Sequence, residues 1–177
     1  QVASALLITA AFLTWQHSAA HAVIEPIYTL PFYASISYEC HLEACYAGHQ
    51  GIDYQLSGTE TGGEVVAAAE RGNVLTYEQF PPNCTMPYCA VYAITINHQP
   101  WSGHKTRYLH LGTRTVANGQ AVARGQVIGY EGNSGAYEYH LHFETREGGS
   151  QNCCSGTAAD PSAPGTYLWQ DNPPNHA

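Results

Sequence analysis

The sequence predicts an all-β fold, an antiparallel β-sandwich or partly open barrel, on three observations. Short apolar runs separated by turn residues fill the chain from about residue 64. Helical periodicity is weak everywhere after residue 22. Tyr (13) and Gly (17) are plentiful, a usage that suits strands and tight turns better than a helical bundle. A length of 177 residues favours one domain with a core of ordinary size.

The front of the chain is set apart from that fold. "ALLITAAFL" is an apolar run of nine, too short to span a bilayer, and it leads to an A-x-A pattern at Ala20 and Ala22. These features match the apolar and cleavage regions of a secretory signal peptide. With no initiator Met and no basic start, residues 1–22 are expected to be a signal peptide shorn of its front, and residues 23–177 a single domain. The competing reading of that run is a buried N-terminal helix.

The strands then follow in order. "EVVAAAE", the turn "RGN" and "VLTYEQF" come first, and "AVYAITINH" is the clearest strand, rich in β-branched and aromatic residues. "KTRYLHL", "QAVA", "QVIGYE" and "YHLHFETR" complete the set. A faint echo links "GGEVVAAAERGNVLTY" with "NGQAVARGQVIGY". Each is expected to form a tight hairpin in which Gly72 or Gly125 supplies the turn. The Pro-rich tail "DPSAPGTYLWQDNPPNHA" is expected to pack a short segment on the core before fraying.

Charge excludes several classes. Charged residues are 11% of the chain and the formal net charge is −8. A basic nucleic-acid surface is not expected, nor a polybasic membrane patch. No stable membrane span is expected in the mature protein.

Six cysteines in an exported chain read as disulfides rather than a structural zinc site, which wants close C-x2-C pairs. At least two disulfides are expected. Sequence cannot choose among the 15 connectivities that six cysteines allow. Cys84 and Cys89 bracket "TMPY", so local closure is expected there. A bond between adjacent Cys153 and Cys154 would be strained, so each is expected to pair elsewhere, with Cys40 and Cys45 as the candidates.

Ten histidines are many for this length. His17 and His21 fall in the leader and His176 in the tail. His41, His98 and His104 lie in or beside loops and are expected to be solvated. His49, His110, His140 and His142 remain. In "YHLHF" a strand would send both imidazoles to one face, with Leu141 and Phe143 on the other.

"GHQGIDY" places His49 and Asp53 four apart. On a straight strand their Cα atoms would stand roughly 13 Å apart, too far to share an ion. Gly51 permits the chain to curl between them. A catalytic zinc takes three protein ligands and keeps a fourth position open. His49, Asp53 and one of His140 and His142 would supply two imidazoles and a carboxylate. The other imidazole could then exchange a proton with water held at the metal. His110, ending the strand "RYLHL", is either bonded to backbone or a further non-ligand imidazole lining the same groove.

At this point the residues resemble the lysostaphin/LytM-type zinc metallopeptidases. "GHQGIDY" resembles that family's H-x-G-x-D segment, "GGEVVAAAERGNV" its G-x-x-V-x-A-x-x-x-G-x-V strand pair, and "TRYLHL" its Y-x-H-L segment. "NGQAVARGQVIGYEGNSG", "YHLHFE" and "DPSAPGTYL" resemble its later segments in the same order. The resemblance runs from about residue 47 to 168. It implies the family's duplicated-hairpin β fold, with a groove across an antiparallel sheet. It implies His49, Asp53 and His142 as ligands of one Zn2+ per chain, and His110 and His140 as the catalytic pair that activates water or stabilises the oxyanion. The implied reaction is hydrolysis of peptide bonds in peptidoglycan stems, cross-links or bridges, by an exported, periplasmic or secreted enzyme. Some members carry an oxyanion tyrosine shortly before the first metal histidine, and Tyr46 is the candidate here. "GAYEY" departs from the family's Ser/Thr-Gly-Pro run before HLH. The alternatives are a catalytically silent member acting as a wall-binding or activator protein, and a disulfide-stapled β-domain that binds carbohydrate or protein without metal.

Overall fold

A computed structural model describes residues 28–34, 36–41, 45–56, 62–79, 90–98, 104–136, 138–148 and 157–159. Their regular structure is all strand. The strands are β1 (Ile36–His41), β2 (Ile52–Leu56), β3 (Val65–Ala67), β4 (Gly72–Gln79), β5 (Val91–Asn97) and β6 (Lys105–Leu109). Then come β7 (Leu111–Arg114), β8 (Ala121–Val122), β9 (Val127–Glu131), β10 (Leu141–Glu147) and β11 (Thr157–Ala159). No helix among the described residues is long and apolar enough to cross a membrane.

The strands make two antiparallel sheets. The larger has eight strands in the order β1-β2-β10-β6-β5-β4-β8, with β11 also on β10. The smaller is β3-β9-β7. Alternation decides what each face carries. Ile52, Tyr54 and Leu56 of β2, Ile94 and Ile96 of β5, Tyr108 of β6, and Leu141 and Phe143 of β10 turn inward. They meet Val66, Leu111 and Ile128 of the smaller sheet in one buried cluster, so the core lies between the sheets. The expected antiparallel all-β fold is the one observed.

His110 is where the chain changes sheets. β6 belongs to the larger sheet and β7 to the smaller, and His110 alone separates them. Its φ of 63° lies in the left-handed region and is the one positive φ among the described non-glycine residues. A non-glycine residue held there marks a site where the surroundings dictate the backbone.

Three expectations need correction. The two echoed segments are not hairpins: β3 pairs with β9, and β4 with β8. Each segment is an arch whose two strands enter different sheets, and the two arches exchange partners. Gly125 does sit in a turn, at φ 75°. Gly72 instead opens β4, where a Cβ would press on the Asn97 carbonyl, so close approach of backbone requires it. The second correction concerns His98, which is buried rather than solvated. Its Nδ1 lies 2.9 Å from the Arg71 carbonyl and its Nε2 3.0 Å from Thr106 Oγ1, and burial pushes its pKa down to about 4. The third is the disulfide, which joins Cys40 to Cys45. Cys153 and Cys154 therefore do not pair with them. Those two, Cys84 and Cys89, the leader and the tail lie outside the described residues.

Candidate metal centre

The face of the larger sheet turned away from the apolar core carries the polar residues of β2, β10 and β6, several of them buried. Asp53 on β2 and His142 on β10 are direct register partners. His49 approaches from the turn before β2, and the chain curls at Gly51 as the sequence requires. A Cβ at Gly51 would meet the Phe143 carbonyl at 2.5 Å, His142 Nε2 at 2.8 Å and Glu144 Cγ at 2.9 Å. Only glycine lets the backbone pass so close to β10.

The three side chains converge. Asp53 Oδ1 lies 2.7 Å from His142 Nδ1 and 3.1 Å from His49 Nε2, and the two ring nitrogens are 3.1 Å apart. Ligands at zinc's usual 2.0–2.1 Å in a tetrahedron stand about 3.3 Å from one another. The observed triangle is slightly tighter than that and has the right donor set. Two imidazole nitrogens and a carboxylate oxygen aimed at one point form a donor set that could hold a metal ion. His49 and His142 are buried and Asp53 is partly exposed, so the open side of the triangle faces solvent.

His140 and His110 stand beside it. His140 shares the outward face of the HLH with His142, and its Nε2 is 3.7 Å from Asp53 Oδ1. Its ring centroid is 4.5 Å from that of His110. Each ring has its Nδ1 against a backbone carbonyl: His110 against Ser134 at 2.7 Å, His140 against Glu138 at 3.0 Å. Nδ1–H donates to each carbonyl, which leaves each Nε2 with its lone pair. Burial drives the His110 pKa down to about 4, against the opposing effect of its bond to Ser134, so that ring stays neutral near pH 7.

The triangle opens into a cleft of about 440 Å³. Asp53, His110 and His140 line it together with Tyr46, Glu138 and Tyr139. Tyr46 is exposed and stacks on the His49 ring, with centroids 4.5 Å apart and planes 29° from parallel. Burial and the Asp53 charge raise its pKa, so its hydroxyl is a proton-bearing donor near neutral pH. Asp53 is pushed up by burial. The hydrogen bond from His142, and the positive charge that His142, His140 and His49 carry when protonated, outweigh that and hold its carboxyl below the ordinary range.

All five residues singled out in the sequence thus meet at one cleft. Sequence reasoning missed what lies behind His142. Its Nε2 is 3.1 Å from Glu144 Oε1, and Arg107 and Arg146 grip the same carboxylate. The signal was available: His142, Glu144 and Arg146 alternate along "HLHFETR", so a strand puts all three on one face.

Fold and site together define an all-β domain with a His-Asp-His cluster that reaches an open cleft through Asp53. The chain belongs to Peptidase family M23, whose model matches residues 47–155. It is 35% identical over 102 residues to the peptidoglycan DD-endopeptidase ShyA of Vibrio cholerae, covering 55% of this chain and 20% of that protein. To ShyB of the same organism it is 37% identical over 97 residues, covering 54% and 20%. The match thus spans about a fifth of the length of these relatives. Among solved structures, a LytM protein of Ruminococcus gnavus superposes with TM-score 0.57 at 19% identity, covering 77% of this chain and 58% of that one. The catalytic domain of lysostaphin from Staphylococcus simulans gives 0.50 at 23% identity, covering 72% and 89%. These two likenesses speak for the fold.

Proposed function

We propose that residues 23–177 form an exported zinc metalloendopeptidase domain that hydrolyses peptide bonds in bacterial peptidoglycan stems, cross-links or bridges. The observation that carries this reading is the convergence of His49, Asp53 and His142 beside a cleft that Asp53, His110 and His140 line. Membership of Peptidase family M23 and the peptidoglycan DD-endopeptidase relatives support the substrate class. A glycosidase of the common type would want two carboxylates flanking the bond. Here Asp53 faces the metal position and Glu138 is the one other carboxylate among the described cleft residues, so no pair is free to flank a bond.

In this reading His49, Asp53 and His142 hold one zinc per chain. Zinc when bound supplies Lewis acidity and lowers the pKa of its water towards about 7. The chain's own residues do the rest. The Nε2 atoms of His110 and His140 are proton acceptors facing the cleft, fixed by their Nδ1–H bonds to Ser134 and Glu138. Either can take a proton from the attacking water and return it to the leaving amine. The Tyr46 hydroxyl can donate to the developing oxyanion. With a net charge of −8 the chain gains no electrostatic attraction to an anionic wall, so affinity rests on contacts in the cleft.

Metal content and digestion of purified peptidoglycan test this. About one zinc per chain and new amino termini by mass spectrometry are expected, with loss of activity on chelation. New reducing sugar ends without new amino termini would overturn the peptidase reading.

A further inference from the structure

We propose that Glu144 is the positioning residue of this centre, fixing the proton of His142 on Nε2 so that Nδ1 presents its lone pair to the metal. The inference rests on the zinc reading above. Three observations carry it.

The first is direct geometry. His142 Nε2 lies 3.1 Å from Glu144 Oε1, and Nδ1, on the opposite side of the ring, points at Asp53 and His49. An ionised carboxylate only accepts, so the ring nitrogen facing it must carry the hydrogen. The second is how Glu144 is held. Arg107 Nη1 donates to both of its oxygens, at 2.9 and 2.7 Å, and Arg146 Nε donates to Oε2 at 2.6 Å. Arg107 in turn donates to the Tyr77 hydroxyl and to Gln79 Oε1, and Arg146 to Gln50 Oε1. Glu144 is 4% exposed, Arg107 4% and Arg146 6%. This is more than one carboxylate needs for its own neutrality. Two guanidinium groups lock its rotamer, as a support must be locked if it is to orient something else. The third is Gly51, whose backbone passes over the His142–Glu144 contact, so that nothing bulkier separates the pair. A carboxylate behind a metal-ligating imidazole orients the ring and raises its basicity.

Glu144→Gln is the diagnostic variant. The side-chain oxygen of Gln is drawn to Arg107 and Arg146, which can only donate. Its NH2 then faces His142 Nε2, which must become an acceptor. The ring proton moves to Nδ1, where the metal should sit. Zinc affinity, measured by competition with a chromogenic chelator, should fall about 10–100-fold. In the zinc-loaded wild type, NMR of isotope-labelled histidine should show a slowly exchanging proton on His142 Nε2, displaced downfield by its carboxylate partner. Glu144→Gln should lack it. Glu70→Gln, which also converts a buried carboxylate to an amide but lies against Arg124, should change neither readout.

A folded Glu144→Gln that binds zinc within twofold of the wild type would overturn the inference while leaving the metal centre intact. If that variant does not fold, the wild-type spectrum decides: a His142 proton on Nδ1, or none held on Nε2, overturns it. A wild type that binds no zinc overturns the metal reading, and this inference with it.

Discussion

Asp53 Oδ1 and His142 Nδ1 stand 2.7 Å apart on residues that are direct register partners in adjacent antiparallel strands, 89 positions apart in sequence. The contact is as well fixed as the sheet itself. A slip of one residue would turn either side chain to the opposite face. His140, two residues away on the same strand face, stays 3.7 Å from that oxygen and aims its Nε2 into the cleft.

Two histidines one residue apart therefore predict different failures. His142→Ala should lose both bound zinc and activity. His140→Ala should keep roughly one zinc per chain and lose activity by about 10²–10⁴-fold, as expected for loss of a proton-transfer group. Zinc stoichiometry after dialysis against a weak chelator, measured beside turnover, separates them. The reverse pattern would exchange their roles.

Gly51→Ala should be severe for a single methyl group. The added carbon would fall within 2.5–2.9 Å of the Phe143 carbonyl, His142 Nε2 and Glu144 Cγ. Relief requires the turn bearing His49 to lift away from β10. A loss of about 1–3 kcal/mol in urea denaturation is expected, accompanied by weaker zinc binding. Wild-type zinc affinity in this variant would show that the close approach does not matter to the site.

The Cys40–Cys45 bridge should support the site as well as the fold. Cys40 is the register partner of Asp53, and Cys45 precedes Tyr46 in the turn that delivers His49. Replacing both cysteines by serine should cost roughly 2 kcal/mol, at the low end for so short a loop. Zinc affinity should fall with it. Thiol counting in denatured, unreduced protein checks the bond directly, since Cys40 and Cys45 must not react.

Glu131 should make stability depend on pH. It is 3% exposed, its Oε1 accepts from the Leu56 amide at 3.3 Å, and Oε2 has no partner among the described residues. Burial chiefly, with the Glu64 charge adding to it, pushes its pKa up to about 7 from an ordinary 4.5. The folded state then holds a proton that the unfolded chain releases. Stability from this group is complete below about pH 4.5 and falls as pH rises through about 7. The loss should be on the order of 1–3 kcal/mol. Denaturation of Glu131→Gln across that range should show a flatter profile than the wild type.

Most of this architecture could be read from residues that alternate. β5 is a run of β-branched and aromatic side chains, and β6, β9 and β10 carry the same signature. β2 is harder, because Asp53 and Gln55 interrupt five residues whose inward face is Ile52, Tyr54 and Leu56. β11 is only Thr-Ala-Ala, and its pairing with the far end of β10 makes it a strand. The arches were misread as hairpins because a local pattern specifies a turn but not the strand that each arm will meet. The five site residues were visible because histidine and aspartate at these spacings are chemically conspicuous. Arg107 was not, since its contact with Glu144 exists only once the two become register partners across β10 and β6.

The place of β10 in the sheet has a consequence in time. A chain that emerges N-terminus first presents His49 and Asp53 early, but β2 reaches the rest of the sheet only through β10, which inserts between it and β6. Long-range pairings of this kind are the slow ones. Until residue 142 has been made and seated, His49 and Asp53 have no third side chain to meet. Completion of the fold and assembly of the His-Asp-His cluster are thus one event, and a chain released before β10 is seated cannot bring the three side chains together.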